Sequence, residues 1–274
     1  MIVQTVGAAQ AAALALIQGL TEFLPISSSA HLALLPMLTD WPDQGLAFDC
    51  VLHLGSLTAV LLYFRSELAA MTTGFARTLA ARRIDADPDG RLAWYILLAT
   101  IPVGAAGLAF KDVVEHDLRT IAVIATTSIL FGLLLGWADL RGSRRLRDDD
   151  WSLRDALLVG AAQAVALIPG TSRSGITMTA ALMLGYSREA AARFSFLLSI
   201  PVIVLAGGLK VKEWVQSTGP QPESAAILFF GYLLSALSAW LCIHYFLKYL
   251  NLIGMGPFVV YRILLGAALF LLLW

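Results

Sequence analysis

Charged residues are scarce in this chain of 274 residues: only 14% are acidic or basic, whereas 58% are hydrophobic. Soluble globular proteins carry about 25% charged and roughly 45–50% apolar residues, so this composition indicates an integral membrane protein. The chain has 19 basic and 19 acidic residues. With a formal net charge of zero, nothing in the composition points to nucleic acid or to an acidic partner.

Cysteine is nearly absent as well. Cys50 and Cys242 both lie in apolar runs and provide neither a disulfide framework nor the spacing of metal ligands. The N-terminal stretch MIVQTVGAAQ lacks the positive residues of a secretory signal, so we expect the first apolar segment to belong to the mature fold.

Long apolar segments make up most of the chain. A bilayer core of about 30 Å requires roughly 20 apolar residues per spanning helix, and uninterrupted segments of this kind lie at about 46–64, 92–110, 118–138, 190–209, 224–246 and 257–273. Two further segments, 5–37 and 153–184, are interrupted by Pro25 and by Pro169 together with nearby hydroxyl residues. Because proline removes a helical hydrogen bond, we expect both to form broken, re-entrant hairpins.

The two interrupted segments resemble each other when Pro25 is placed on Pro169, which sets FLPISSSAH against LIPGTSRSG. Three predicted spans follow each of them. The chain is therefore predicted to be an all-α polytopic membrane protein with an inverted-topology repeat, six spans and two re-entrant hairpins. It would form one integral membrane domain, 1–274, with pseudo-repeats at about 1–140 and 151–274. Paired interrupted helices indicate a binding site at the repeat interface.

Basic residues are distributed unevenly between the predicted loops. By the positive-inside rule, the richer side is cytoplasmic, which places both termini outside the cytoplasm and makes the two hairpin tips meet near the middle of the membrane. The poorer side has only Lys111, Arg119, Lys210 and Lys212. The richer side has Arg65, Arg77, Arg82, Arg83, Arg91, Arg141, Arg144, Arg145, Arg147, Arg154, Arg188, Arg193 and Lys248.

The second break places Arg173 at membrane depth, where insertion scales assign an arginine a cost of about 2.5–3.5 kcal/mol. No acid is near it in sequence, so its counter-charge must come from the other hairpin or from a ligand. A guanidinium, several hydroxyls and a helix resuming at about Ser174 together suit a phosphate group. The alternative is a surface turn with a snorkelling arginine. The neighbours of Arg173 are Thr171, Ser172, Ser174, Gly175 and Thr177.

The first break carries the groups of an acid–base or nucleophilic site. Gln18 and Glu22 are four residues apart and share one face of the helix that precedes Pro25. Ser27 is predicted to be the N-cap of a second short helix, on which Ser28 and His31 share a face. These groups suit proton transfer and phosphoryl attack; the alternative is that the serines pack helices and that His31 is a satisfied interior histidine.

Two long motifs resemble those of a known family. IQGLTEFLPISSSAH resembles the (E/Q)-x-x-x-E motif and Pro-x-Ser-Ser tract of the bacterial undecaprenyl-pyrophosphate phosphatases, also called bacitracin-resistance proteins, and PGTSRSGIT resembles their P-G-x-S-R-S-x-x-T motif. The resemblance implies a multi-pass enzyme of the bacterial inner membrane whose site opens to the periplasm. Such an enzyme removes the terminal phosphate of undecaprenyl pyrophosphate and so regenerates the lipid carrier of envelope glycan synthesis.

The resemblance also implies roles for individual residues. Glu22, Ser28, His31 and Arg173 would be catalytic, with Ser28 and His31 as nucleophile and proton carrier. A divalent cation, Mg²⁺ or Ca²⁺, would rest on Glu22, because Gln18 removes one charge from the acidic motif. Partners would be a polyprenyl pyrophosphate, membrane lipids and, as an option, a second copy of the chain, with no nucleic acid. Pyrophosphate binding is implied for Gln18, Ser27, Ser172, Arg173, Ser174 and Thr177.

Several alternatives remain open from the sequence. The attacking group is Ser28, a water that Ser28 orients, or His31 by way of a phosphohistidine. A polyprenyl-phosphate flippase would need the same phosphate cradle but no nucleophile beside a base. An intramembrane serine hydrolase would need an oxyanion hole and no buried arginine, so Arg173 argues against it.

Overall fold

The computed structural model describes residues 6–39, 41, 44–142, 150–216 and 224–273, and within these ranges the chain is helical with no β-strand. Eleven helices follow one another in these ranges, and the all-α prediction is confirmed. The helices are α1 Ala8–Phe23, α2 Ser28–Leu38, α3 Gly45–Tyr63, α4 Arg65–Ala81, α5 Pro88–Ala109, α6 Ile121–Gly142, α7 Leu153–Ala164, α8 Arg173–Met183, α9 Arg188–Gln216, α10 Ala225–Ile253 and α11 Gly256–Leu271.

Four of these helices, α5, α6, α9 and α10, are long and apolar enough to cross a membrane. α3 is also apolar, but it joins α4 at a bend of 78° near Phe64, so this pair counts as a fifth candidate span only if taken together. α11 is apolar but only 16 residues long. The described helices therefore fit a polytopic membrane protein, and four to five of them satisfy the length criterion.

Helix α4 differs from the sequence analysis, which treated the residues after the first span as a loop. The segment contains no proline and is rich in alanine, leucine and threonine, so nothing in it interrupts a helix. It ends at Ala81, and the next residue, Arg82, adopts a left-handed conformation. The side chain of Asp87 then caps α5 by accepting bonds from the backbone N–H groups of Asp89 and Gly90, both at 3.0 Å.

Small residues let the long helices approach closely, as is common in membrane proteins. A Cβ atom at Gly19 of α1 would lie 2.7 Å from the carbonyl oxygen of Ser235 on α10. The Ser235 hydroxyl donates to the carbonyl of Leu52 on α3 at 2.8 Å, so α10 holds α1 and α3 together. Towards the other half, Trp151 stacks between Tyr186 and Phe194 with ring centroids 3.8 Å away on each side.

Both interrupted segments fold as helix pairs with a break between them, α1–α2 and α7–α8. Helices α2 and α8 each have 11 residues, and α8 begins and ends 145 residues after α2. This spacing places Pro25 opposite Gly170 and Ser27 opposite Ser172, so the sequence register that set Pro25 on Pro169 is wrong by one residue. The match of the prolines was misleading because the N-cap serines, rather than the prolines, begin the second helices.

We expect Gly160→Ala to lower the free energy of unfolding by about 1–3 kcal/mol, the usual range for overpacking. A Cβ atom at this position of α7 would overlap the carbonyl oxygen of Ala99 on α5 and lie 2.7 Å from its Cα, and backbone atoms cannot move aside. Thermal unfolding of the detergent-purified protein measures the effect. Gly104→Ala on α5, where nothing lies within 4 Å, is the control and should be neutral or stabilising. Equal melting temperatures would contradict this account of α5–α7 packing.

Candidate active site

The two breaks have the same local structure. Ser27 and Ser172 have positive φ values of 74° and 71°, which non-glycine residues seldom adopt. Each serine caps the helix that follows it: the Ser27 hydroxyl accepts a hydrogen bond from the Ala30 N–H at 3.4 Å, and the Ser172 hydroxyl accepts one from the Gly175 N–H at 3.1 Å. The predicted N-cap role of Ser27 is confirmed. Strained backbone of this kind persists where surrounding contacts hold it.

The two breaks lie against each other. The Ser174 hydroxyl donates to the carbonyl of Leu24 at 2.8 Å, which joins the start of α8 directly to the end of α1. Helices α2 and α8 therefore both begin where the breaks meet. The first N–H groups of a helix lack partners within the helix and carry a partial positive charge, which favours anions.

The carboxylate of Glu22 is the centre of the polar cluster at this junction. One oxygen accepts from Arg173 Nη2 at 3.0 Å. The other accepts from the Ser28 hydroxyl at 2.6 Å and from Gln18 Nε2 at 3.1 Å. The Glu22 side chain is only 8% exposed. The structure thus brings together Gln18, Glu22, Ser28 and Arg173 from both breaks, and the counter-charge expected for Arg173 comes from the other hairpin.

Arg173 is held from a second direction as well. Its Nη1 donates to the carbonyl of Ser195 on α9 at 3.0 Å, and its guanidinium lies 6.0 Å from the centre of the Phe23 ring. The side chain is 13% exposed, so it is largely withdrawn from solvent but not sealed. A charge held by a carboxylate and a carbonyl at an accessible edge is a suitable anion-binding group.

His31 lies apart from the Ser28–Glu22 pair. Its Nδ1 is 2.7 Å from the carbonyl of Ser27, and because a carbonyl only accepts, this nitrogen carries a proton. The other ring nitrogen is bonded to the hydroxyl of Tyr261 on α11. Both nitrogens therefore have partners other than Ser28, although the two side chains were expected to act together. In this arrangement Glu22, rather than His31, is placed to take a proton from Ser28.

The other predicted substrate-binding hydroxyls are buried and form hydrogen bonds within the protein. Ser172 pairs with Ser174 at 3.2 Å besides capping α8, as Ser27 pairs with Ser29 at 3.2 Å in the first break. Thr177 is fully buried, and its hydroxyl bonds to that of Ser195 at 2.7 Å, which ties α8 to α9. These hydroxyls shape the breaks, whereas Ser28 and Arg173 retain some exposure.

Two residues outside the motifs reach the cluster, and a third binds His31. Ser56 of α3 accepts from Gln18 Nε2 at 3.3 Å. Ser195 bonds to Arg173 and Thr177, and Tyr261 bonds to His31. Ser56, Ser195 and Tyr261 lie in ordinary apolar runs and carry no motif of their own, so only packing reveals them.

Whether the cluster suits a divalent cation depends on which oxygen atoms it offers as ligands. No group of three or more histidine, cysteine, aspartate or glutamate side chains that would hold a metal occurs in the described ranges. The carboxylate of Glu22 and the amide oxygen of Gln18, which is buried without a hydrogen-bond partner, are the available oxygens. Mg²⁺ often binds through one or two protein oxygens, with substrate phosphates and water completing its shell. The residues therefore fit a cation shared with a phosphate ligand rather than a closed protein site.

Comparison with known proteins places the chain in a family. Residues 11–268 match the family model of the bacitracin resistance protein BacA. The chain belongs to this family. Relatives from the family include an undecaprenyl-diphosphatase of Thioalkalivibrio sulfidiphilus, 54% identical over 265 residues, which cover 97% of this chain and 98% of that protein. Another, undecaprenyl-diphosphatase 2 of Stutzerimonas stutzeri, is 56% identical over 262 residues and covers 94% and 96% of the two chains. The family resemblance drawn from the two motifs is confirmed.

We expect Glu22→Gln to lower the free energy of unfolding by about 3–5 kcal/mol, the cost of leaving a buried charge uncompensated. The amide keeps the shape of the side chain but leaves Arg173 without its carboxylate. The matched control is Glu67→Gln, which breaks a pair with Arg193 at 3.0 Å whose side chains are about one-third exposed, at 36% and 34%. That change should cost less than about 1 kcal/mol. Similar losses for the two variants, in thermal or denaturant unfolding, would contradict the central place of the Glu22–Arg173 pair.

Proposed function

We propose that this protein removes the terminal phosphate of undecaprenyl pyrophosphate and so returns the lipid carrier to envelope glycan synthesis. The observation that carries the proposal is the 2.6 Å hydrogen bond from the Ser28 hydroxyl to the Glu22 carboxylate, beside the guanidinium of Arg173. A hydroxyl is a weak nucleophile unless a base lies within hydrogen-bond reach. The names of the relatives, which are more than half identical to this chain over nearly its whole length, support the same substrate.

The geometry supports a phosphoryl transfer in two steps. The Ser28 oxygen attacks the terminal phosphorus while its proton passes to Glu22, and the bond from that phosphorus to the bridging oxygen breaks, releasing the lipid monophosphate. Water then attacks the phosphoserine, and phosphate leaves as Ser28 regains a proton. Arg173 and the two helix N-termini stabilise the negative charge on the transferring group. Direct attack by a water held by Ser28 and Glu22 is the alternative.

A divalent cation would be held by Glu22 and the Gln18 amide oxygen and would arrive with the pyrophosphate. When bound, it would neutralise phosphate charge. The support is the single carboxylate of the cluster together with the unpartnered Gln18 oxygen. The residues of the chain would orient the substrate and transfer the proton.

The membrane arrangement that accompanies this function is an inverted repeat of two re-entrant hairpins and six spans, with both termini and the site opening on the periplasmic side. The equal lengths of α2 and α8 and their matching N-caps support the repeat. Two ion pairs support this orientation. Arg193 pairs with Glu67, which follows Arg65 of the same predicted side by two residues. Lys210 pairs at 3.8 Å with Asp49, near the start of the first predicted span on the poorer side. Of the basic residues behind the orientation, Arg144, Arg145 and Arg147 lie outside the described residues.

The proposal is tested by phosphate release from farnesyl and undecaprenyl pyrophosphate with detergent-purified protein. We expect Arg173→Ala to lower kcat/KM by at least about 10³-fold, as for loss of an arginine that stabilises phosphoryl transfer. Ser28→Ala should lower kcat by a similar factor if serine is the nucleophile.

Ser29→Ala is the control for Ser28→Ala, because Ser29 is exposed and its hydroxyl pairs with Ser27, whereas that of Ser28 pairs with Glu22, and it should keep wild-type activity. A residual rate in Ser28→Ala within about tenfold of wild type would instead favour attack by water. If folded wild-type protein releases no phosphate under any metal condition, the enzyme proposal is wrong and a polyprenyl-phosphate flippase takes its place.

The cation proposal predicts that Gln18→Glu lowers the Mg²⁺ concentration needed for half-maximal activity. The new carboxylate would lie about as close to Glu22 as the amide does, 3.1 Å, and two adjacent carboxylates bind Mg²⁺ more strongly than one. Titration of phosphate release with Mg²⁺ after chelation measures the shift. An unchanged half-maximal concentration would show that no cation lies between Gln18 and the substrate.

A further inference from the structure

Arg262 of α11 is the largest fully buried side chain among the described residues, with 1% of its surface exposed. No carboxylate of the described residues forms an ion pair with it. Its guanidinium instead donates to four backbone carbonyls: Nε to Ser128, Nη1 to Pro25, and Nη2 to both Thr127 and Gly170, over 2.9–3.2 Å. A buried charge is costly unless it is satisfied by several hydrogen bonds, so this arrangement requires a reason.

The four carbonyls belong to three separate segments. Pro25 is in the first break, Gly170 is in the second, and the other two carbonyls are on α6. One planar side chain therefore links both breaks to each other and to a long helix behind them. Its rigid fork of five N–H donors is suited to such a task, and a lysine ammonium is not.

The space around Arg262 is kept open by glycines. A Cβ atom at Gly175 would lie 2.9 Å from Arg262 Nη1, and one at Gly132 would lie 3.0 Å from Arg262 Cβ. Both distances are shorter than ordinary contacts between side chains. The position of the guanidinium is thus fixed by backbone on two sides as well as by its hydrogen bonds.

The linked carbonyls flank the reactive groups. Pro25 lies between Glu22 and Ser28 in the chain, and Gly170 precedes Arg173 by three residues. We infer that Arg262 is a positioning residue that sets the distance between the nucleophile–base pair of the first break and the phosphate-binding arginine of the second. It touches no substrate. The inference rests on the proposed phosphatase activity, because its effect is on the geometry of that reaction.

The first test is Arg262→Lys in the full-length, detergent-purified protein, with farnesyl pyrophosphate as substrate. Lysine keeps the charge but cannot reach carbonyls on three segments. We expect kcat to fall by about 10²-fold, the effect of misplacing reacting groups by roughly 1 Å, with little change in KM because the groups that bind substrate remain. The control is Arg188→Lys, which weakens a bidentate pair with Asp139 at 2.6 and 2.9 Å, away from the breaks.

The control separates positioning from stability. Arg188→Lys should lower the melting temperature and leave kcat unchanged, since Arg188 does not reach either break. If Arg262→Lys also lowers the melting temperature but keeps the kcat of wild type, Arg262 is only structural and the inference is wrong. Absence of activity in wild type would instead refute the proposed function and would be seen before any variant is compared.

A second pair of variants decides the matter if Arg262→Lys does not fold. Gly132→Ala presses on Arg262 Cβ without removing the guanidinium. Gly136→Ala, one turn along α6, presses on the Val259 side chain of the same helix α11 at 3.3 Å. We expect only Gly132→Ala to lower kcat, by roughly 10-fold. Equal kcat values for the two alanine variants would overturn the inference.

Discussion

The pairing of Glu22 with Arg173 is the interaction on which the polar centre of this protein depends. Its partners are 151 residues apart in the chain and belong to different breaks. An arginine in an apolar interior requires a counter-charge, and a carboxylate there requires donors. Because each group satisfies the other, each break can bury its charged side chain only when the other break lies beside it. The same carboxylate also binds the Ser28 hydroxyl, so the pair that neutralises charge also orients the nucleophile of the proposed reaction.

The breaks are possible because their irregular backbone is satisfied inside the protein. Free carbonyls and N–H groups in a bilayer cost several kcal/mol each unless protein or water binds them. Here Ser174 donates to the carbonyl of Leu24, and Arg262 donates to those of Pro25 and Gly170. Serine side chains at matching positions cap the two helices that follow. The positive φ values of Ser27 and Ser172 are therefore maintained by contacts from both breaks and from α11.

The sequence was sufficient for the parts of this arrangement that depend on local chemistry. Helical segments follow from apolar length, breaks from Pro25 and Pro169, and the polar cluster from Glu22, Ser28 and Arg173 standing where apolar residues are expected. It was not sufficient for contacts between distant helices. The tie from Arg262 to both breaks and the bond from Tyr261 to His31 depend on the rotation of α11, which no local pattern determines. For the same reason His31 was paired with Ser28 by helical spacing, although tertiary contacts direct its ring elsewhere.

The net positive charge where the two breaks meet favours an anionic head group over a neutral one. Two guanidinium groups, of Arg173 and Arg262, lie at the breaks with the single carboxylate of Glu22. The N-termini of α2 and α8 each add a partial positive charge of about one half. These groups together leave an excess of positive charge among largely buried side chains, where electrostatic interactions are strong. A pyrophosphate group would balance that excess, whereas a neutral head group would bury the charges without compensating them.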